Sequence, residues 1–153
     1  PDLSNRALEA LLAQALKLTQ LDFAVLTTVT ADGSHELLLA HMPIADQGFA
    51  SQLVDDPLHQ RILDQGELLA IGENAGELAE EWPKRLHARL IYGLALKDDH
   101  QRRHGALLVG AARARPGFEH DQPLIRALAA RFGLLLALRH SRKRAASAAC
   151  MIR

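Results

Sequence analysis

The chain has 153 residues, of which 48% are hydrophobic and 24% are charged. This length and balance predict one globular domain that buries about two-thirds of its unfolded surface without a metal or a disulfide. Because 18 Lys and Arg residues balance 18 Asp and Glu residues, the composition argues against a protein built mainly to hold nucleic acid. A single cysteine, Cys150, allows no internal disulfide and fits a reducing, cytoplasmic location.

No signal peptide and no membrane-spanning segment are expected from the sequence. The run from Gly133 to Leu138 is the longest apolar candidate, and it is far shorter than the roughly 18 residues that a spanning helix needs. The chain starts at Pro1 rather than at methionine, which suggests a piece of a longer protein or a trimmed N-terminus.

The first part of the sequence predicts a helix and a β-hairpin. Residues 4–19 place leucine and alanine at helical spacing, and residues 21–30 then alternate with β-branched side chains as a strand does. Asp32–Gly33 supplies a tight turn. The chain returns as a second strand over residues 35–42.

The middle of the sequence predicts shorter elements. Residues 43–52 are typical of a loop, and Asp56 to Asp64 predicts a helix with a proline in its first turn. Residues 68–71 predict a short strand. Residues 75–86 predict a polar helix or loop, which contains Trp82.

The last part predicts two long strands and a long helix. Residues 87–97 alternate as a strand, and residues 105–113 are apolar on both faces, which favours a central strand. Asp121 is placed to cap a helix over residues 122–142. The core stripe of that helix is predicted to contain Leu124, Ala127, Leu128, Phe132, Leu135 and Leu138.

The order of elements predicts an α+β fold. Successive strands joined as hairpins form a mostly antiparallel sheet of five or six strands, with the N- and C-terminal helices packed on one face. We expect a single domain over residues 1–142, followed by a frayed helix end or a severed linker at 143–153.

This layout resembles the GAF family of sensory domains. The resemblance rests on the order of four segments, which are LDFAVLTTV at 21–29, RILDQGELLAI at 61–71, HARLIYGLALK at 87–97 and the stretch from Gly105 to Leu138. The related PAS fold usually ends on a long hairpin, whereas this chain ends in a helix soon after its last strand.

The resemblance implies a regulatory domain rather than an enzyme. It implies a small-ligand pocket on the sheet face opposite the terminal helices, dimerisation through those helices, and control of an output domain in the same or another chain. The alternative is a ligand-free dimerisation or scaffold module of the same fold. The homodimer interface is expected at or near Leu8, Leu11, Leu12, Leu16, Leu128, Leu135 and Leu138.

Three residues are candidates for the pocket lining. Trp82, Tyr92 and Asn74 are aromatic or polar residues near the third and fourth predicted strands. Trp82 has an alternative role as packing that covers the sheet. The sequence identifies neither the ligand nor a cofactor.

The activities of some family members do not fit this sequence. Methionine sulfoxide reduction and covalent bilin attachment need cysteines in the core, whereas Cys150 lies in the tail. Cyclic-nucleotide-binding members carry an Asn-Lys…Phe…Asp-Glu pattern. Here Phe118 and Asp121 are present without the Asn-Lys pair, and they are better explained as a staple and cap of the last helix.

The eight histidines raise the question of a metal or haem site. His35 and His41 would lie about 20 Å apart on one strand, too far to share an ion. The cluster from Asp98 to His104 is either a weak metal site or, as favoured, a solvated turn. A single haem ligand at His41 or His87 competes with an ordinary surface or partly buried histidine.

Two charged patterns have both a structural and a functional interpretation. Arg61–Asp64 spells the R-x-x-D of a cyclic di-GMP contact, but it is also an ordinary i, i+3 helical pair. The basic cluster of Arg139, Arg142, Lys143 and Arg144 either stabilises the helix end, which is favoured, or meets an anionic partner.

Overall fold

The structure, a computed structural model, describes residues 3–42, 47–72 and 81–152. Within them the elements in chain order are α1 (Leu3–Thr19), β1 (Phe23–Val29), β2 (His35–His41), α2 (Gln47–Ala50), a 3-10 turn (Ser51–Asp55), α3 (Pro57–Gln65), β3 (Glu67–Ile71), α4 (Glu81–Arg85), β4 (Leu90–Lys97), β5 (Arg103–Ala111), a second 3-10 turn (Phe118–His120) and α5 (Gln122–Ile152).

The strands form one antiparallel five-stranded sheet in the order β2-β1-β5-β4-β3. The predicted α+β fold is therefore confirmed, with β5 at the centre, as its apolar faces indicated. The β1–β2 register shifts between Leu26 and Thr27, which is the kind of irregularity that increases the local twist of a strand.

One face of the sheet is covered by α1 and α5, as predicted, and we call it the terminal-helix face. Leu8 and Leu12 of α1 meet Phe132 of α5 and Tyr92 of β4 in one buried cluster. Removing these apolar surfaces from water stabilises the layer by about 25 cal/mol per Å².

The other face is covered by α2, the first 3-10 turn, α3 and α4, and we call it the α3 face. Ile62 of α3, Trp82 of α4, and Phe23 and Ile91 of the sheet belong to its buried cluster. The Asp56 side chain accepts from the N–H of Leu58 and so caps α3, which begins where the sequence predicted a helix.

Several predicted boundaries differ from the structure. Residues 47–52, predicted as part of a loop, belong to α2 and the first 3-10 turn. The strand predicted from His87 begins at Leu90, because His87 has a positive φ of 53° and its N–H bonds the carbonyl of Lys84 in a turn. The residues predicted as a tail from 143 continue α5 to Ile152.

The predicted core stripe and cap of α5 need correction. The buried stripe consists of Ile125, Leu128, Ala129, Phe132 and Leu136, whereas Leu124 and Leu138 are 42% and 48% exposed. Asp121 turns its carboxylate to Arg115, with Oδ2 3.1 Å from Nη2. The backbone carbonyl of Asp121, and not its side chain, accepts the N–H groups of Leu124 and Ile125.

Candidate functional site

Packed side chains fill the α3 face around Trp82. This residue is fully buried, and its indole N–H donates to the carbonyl of Phe49 at 3.2 Å. Its ring stacks on Phe49 at 5.4 Å between centroids and meets Phe23 edge-on at 5.8 Å. Since the only polar atom of the indole already has a partner, Trp82 covers the sheet as packing, the alternative that the sequence left open.

Tyr92 lies on the opposite face from Trp82. It is fully buried under α1 and α5, and its ring meets Phe118 edge-on at 5.5 Å. Burial raises the pKa of its hydroxyl above the ordinary value. Trp82 and Tyr92 therefore do not line one pocket, which corrects the predicted site. The third candidate, Asn74, lies outside the described residues.

A polar contact crosses the α3 face between β1 and α3. The hydroxyl of Thr27 lies 2.8 Å from Nε2 of His59 and accepts the N–H of Ala106 at 3.0 Å. Its own hydrogen is thus available for the imidazole. Burial, followed by the neighbouring His35 ring at 5.0 Å, lowers the pKa of His59 to about 4, so this histidine is neutral near pH 7.

A second polar chain crosses the terminal-helix face. The hydroxyl of Thr28 lies 3.1 Å from Nε2 of His140 in α5. Nδ1 of His140 lies 2.8 Å from Nδ1 of His104 in β5, and Nε2 of His104 lies 2.8 Å from a carboxylate oxygen of Asp98. These four hydrogen-bonded side chains therefore connect β1, α5, β5 and the β4–β5 turn.

The carboxylate end of this polar chain defines its first hydrogen bond. Asp98 accepts from Nε2–H of His104, which leaves Nδ1 of His104 facing Nδ1 of His140, and one of these two nitrogens donates to the other. Bonding to His104 lowers the pKa of Asp98 to about 2. Burial lowers the pKa of His140, assisted by His104, Lys143, Arg144 and Arg139.

The Asp98 turn is organised by hydrogen bonds. Oδ1 of Asp98 accepts the backbone N–H groups of His100 at 2.8 Å and Arg102 at 3.0 Å. In the part of the chain that the structure describes, no three His, Cys, Asp or Glu side chains are grouped to hold a metal ion. The geometry at Asp98 is that of a side chain closing its own turn.

Comparison with known proteins identifies the fold. No protein-family model and no curated protein sequence matches the chain. Among solved structures, a GAF domain/HD domain protein from Geobacter sulfurreducens matches with a TM-score of 0.70 at 12% identity, covering 88% of this chain and 92% of that one. The chain has the GAF fold.

Two further GAF-type matches cover similar lengths. The photoproduct state of GAF3 from Slr1393 of Synechocystis sp. PCC6803 has a TM-score of 0.69 at 15% identity, covering 92% of this chain and 98% of that one. A domain assigned to a two-component sensor histidine kinase of Sinorhizobium meliloti 1021 has a TM-score of 0.62 at 13% identity, covering 93% and 95%.

In this GAF-fold chain the predicted dimer residues divide into two groups. Leu8 and Leu12 are 1% and 0% exposed inside the single chain, so they present no surface to a second copy, and their predicted role is wrong. Leu138 is 48% exposed, and Leu135 is partly buried against the core. Both border a groove of about 370 Å³ between α1 and α5.

The two histidines considered as single haem ligands, His41 and His87, lie in different parts of the fold. His41 ends the edge strand β2, and His87 is exposed in the turn before β4.

Among the described residues, no helix has the length and apolar character that crossing a membrane requires. The threonine–histidine contacts, in contrast, were missed from the sequence. Their signal was the pair Thr27-Thr28 within an otherwise apolar strand.

Proposed function

We propose that this chain is a regulatory sensory domain in which α5 is the output element. The supporting observation is that Thr27 and Thr28, consecutive in β1, contact His59 on α3 and His140 on α5. A displacement of α3 that moves β1 therefore also disturbs the anchor of α5. Two sites are coupled in this way when one structural element is shared by both.

The shape of α5 suits an output role. Its 31 residues span about 47 Å at 1.5 Å per residue. Residues 122–140 include the buried stripe, whereas the side chains of residues 141–148 are all exposed. A small rotation of the anchored part is carried to the exposed part because a helix is rigid over this length. The likeness to domains from a GAF/HD protein and a sensor kinase supports an output domain in the same or another chain.

The proposed oligomer is a homodimer that uses the exposed side of α5. Leu134 and Leu138 are each 48% exposed and lie one helical turn apart. Leucines at this spacing form a continuous apolar strip, which a second copy of the helix would cover. Leu135 lies at the edge of the strip.

A ligand-free dimerisation module is the alternative function. It is favoured by the packing around Trp82, since Trp82, Phe23 and Ile62 are fully or almost fully buried. This alternative predicts a dimer whose α5 does not respond to changes on the α3 face.

Hydrogen–deuterium exchange on a double-mutant cycle distinguishes the two functions. Thr27→Val removes the contact with His59 and should speed exchange in α5 between residues 130 and 140 as well as in α3. Thr28→Val should speed exchange in α5 directly. If the threonines are coupled, the double variant shows less than the sum of the single effects. Unchanged α5 exchange in Thr27→Val would exclude the relay and favour the alternative.

A further inference from the structure

A basic cleft lies at the end of the sheet where β4 begins and β5 ends. It has a volume of about 560 Å³ and is lined by Pro83, Lys84, His87, Ala88, Arg89, Ala112, Arg113 and Ala114. Every ionisable side chain in this described lining is basic. The remaining lining side chains are proline and alanine, which are short and apolar. The surface between the basic groups therefore lies close to the backbone.

The backbone of the cleft is held in place by hydrogen bonds. The N–H of Arg89 donates to Ala111 at 2.8 Å, and its carbonyl accepts from Gly72 at 2.7 Å. Arg89 is thereby fixed between two neighbouring chain segments, just before β4. A guanidinium that starts from a fixed backbone loses less conformational freedom when it binds a ligand.

The other basic residues of the lining are held by local contacts of their own. His87 adopts a positive φ of 53°, which is uncommon for a residue other than glycine and persists where its surroundings impose it. Its N–H donates to Lys84 at 3.1 Å. Across the cleft, Nη2 of Arg113 donates to the carbonyl of Gln20 at 3.2 Å, which orients the guanidinium.

We propose that this cleft binds a small molecule carrying at least two negative charges, such as a phosphorylated metabolite. Basic groups brought together in a concave site repel one another, and an anion relieves this repulsion while accepting charge-assisted hydrogen bonds. A guanidinium group such as that of Arg89 or Arg113 can donate two parallel hydrogen bonds to two oxygens of one phosphate. The proposal deepens the proposed function by naming its ligand class and the place of binding.

A small molecule is favoured over nucleic acid for two reasons. The surface is a cleft of limited volume rather than an extended strip, and the chain has a formal net charge of zero. Nucleic-acid binding depends on neutralising many phosphates along a chain, which a basic stripe does better than a cleft.

The sequence between Gly72 and Glu81 is rich in glutamate. Residues 73–80, which lie outside the described residues, join Gly72 to Glu81 and contain Glu73, Glu77 and Glu80. A variant in which these three glutamates are replaced by glutamine therefore belongs in the test, since it removes any competition between them and an added anion.

Calorimetric titration with pyrophosphate at low salt tests the proposal. We expect one site per chain whose affinity falls as salt rises. The variant Arg89→Gln/Arg113→Gln should bind roughly tenfold more weakly or worse, since it lacks two charge-assisted donors. The control Arg6→Gln/Arg131→Gln carries the same change in net charge on exposed helix positions and should bind within about twofold of the parent.

Four outcomes would overturn the proposal. They are no pyrophosphate binding by either the parent chain or the glutamate-to-glutamine variant, equal binding by the Arg89/Arg113 variant, equal loss in the control, and tighter binding of a single-stranded RNA than of pyrophosphate. The binding measurement does not depend on α5. Binding without any change of α5 exchange keeps the site but shows that its ligand does not drive the output helix, whereas a relay confirmed by Thr27→Val without pyrophosphate binding contradicts the site alone.

Discussion

Thr27 and Thr28 are neighbours in β1, and their hydroxyl groups contact histidines on opposite faces of the sheet. The alternation of a strand places consecutive side chains on opposite faces, so one peptide unit connects His59 of α3 with His140 of α5. In each pair, the imidazole contacts the threonine hydroxyl through Nε2.

Replacing Thr28 with valine should loosen α5 without unfolding the sheet. The variant removes the hydroxyl that lies 3.1 Å from Nε2 of His140 and leaves the shape of the side chain nearly unchanged. We expect a loss of about 1 kcal/mol in the free energy of unfolding, typical of one hydrogen bond. Urea denaturation measures the loss. Thr30→Val serves as the control because its hydroxyl bonds only within the β1–β2 turn, to Asp32 and Ser34, so its loss should leave hydrogen–deuterium exchange in α5 unchanged.

The stability of the domain should fall as the pH is lowered from 6.5 towards 4. The pKa of His59 lies near 4 in the folded chain, against an ordinary value of 6.5, so the unfolded chain binds a proton at higher pH than the folded one. The neutral imidazole therefore contributes stability that is fully present above about pH 6.5 and is lost as the pH falls through the folded pKa. His140, whose pKa is also lowered, acts in the same direction.

Urea denaturation at several pH values, together with NMR titration of the histidine rings, measures this effect. His59→Gln should flatten part of the pH dependence because it removes one of the groups that titrate. A His59 ring that titrates near 6.5 in the folded chain would contradict the prediction.

Adding one methyl group at Gly133 should separate α5 from the sheet. A Cβ atom there would lie 2.2 Å from the backbone carbonyl oxygen of Lys97, and backbone cannot move aside as a flexible side chain does. We expect Gly133→Ala to lower the free energy of unfolding by about 1–3 kcal/mol or more. Gly48→Ala is the matched control, because its added Cβ has no neighbour within 4 Å. Equal stability of the two variants would show that α5 lies farther from β4.

Substitution of an exposed leucine on α5 should abolish dimerisation while leaving the single chain folded. Leu138→Lys places a charge in the proposed strip and should shift the mass in native mass spectrometry from twice 16.8 kDa to the single chain mass of 16.8 kDa. Thermal stability of the single chain should change little, since Leu138 is half exposed.

Leu12→Ala provides the opposite control. Leu12 is fully buried, so its truncation should cost about 2–5 kcal/mol of folding stability. A dimer that survives Leu138→Lys unchanged would exclude the α5 strip as the interface.

Local signals in the sequence were sufficient for most elements. Asp56 followed by proline correctly predicted the start of α3, since capping and the fixed φ of proline act over two or three residues. The Asp32–Gly33 turn correctly predicted the β1–β2 hairpin. Apolar residues on both faces correctly placed β5 inside the sheet.

The contacts of individual side chains could not be predicted from the sequence. Trp82 and Tyr92 were assigned to one pocket, yet α4 packs on one face of the sheet and Tyr92 points to the other. Because β4 is buried on both faces, its alternation could not show which helices cover which side.

The sequence alone determined the fold class of this protein, because helix and strand periods, caps and turns depend on residues close together in the chain. Only the tertiary structure decided which polar groups meet. His140 lies 112 residues from Thr28 and 36 from His104, and the basic cleft combines residues before β4 with residues after β5. Such contacts depend on how the layers pack, and no local pattern specifies that packing.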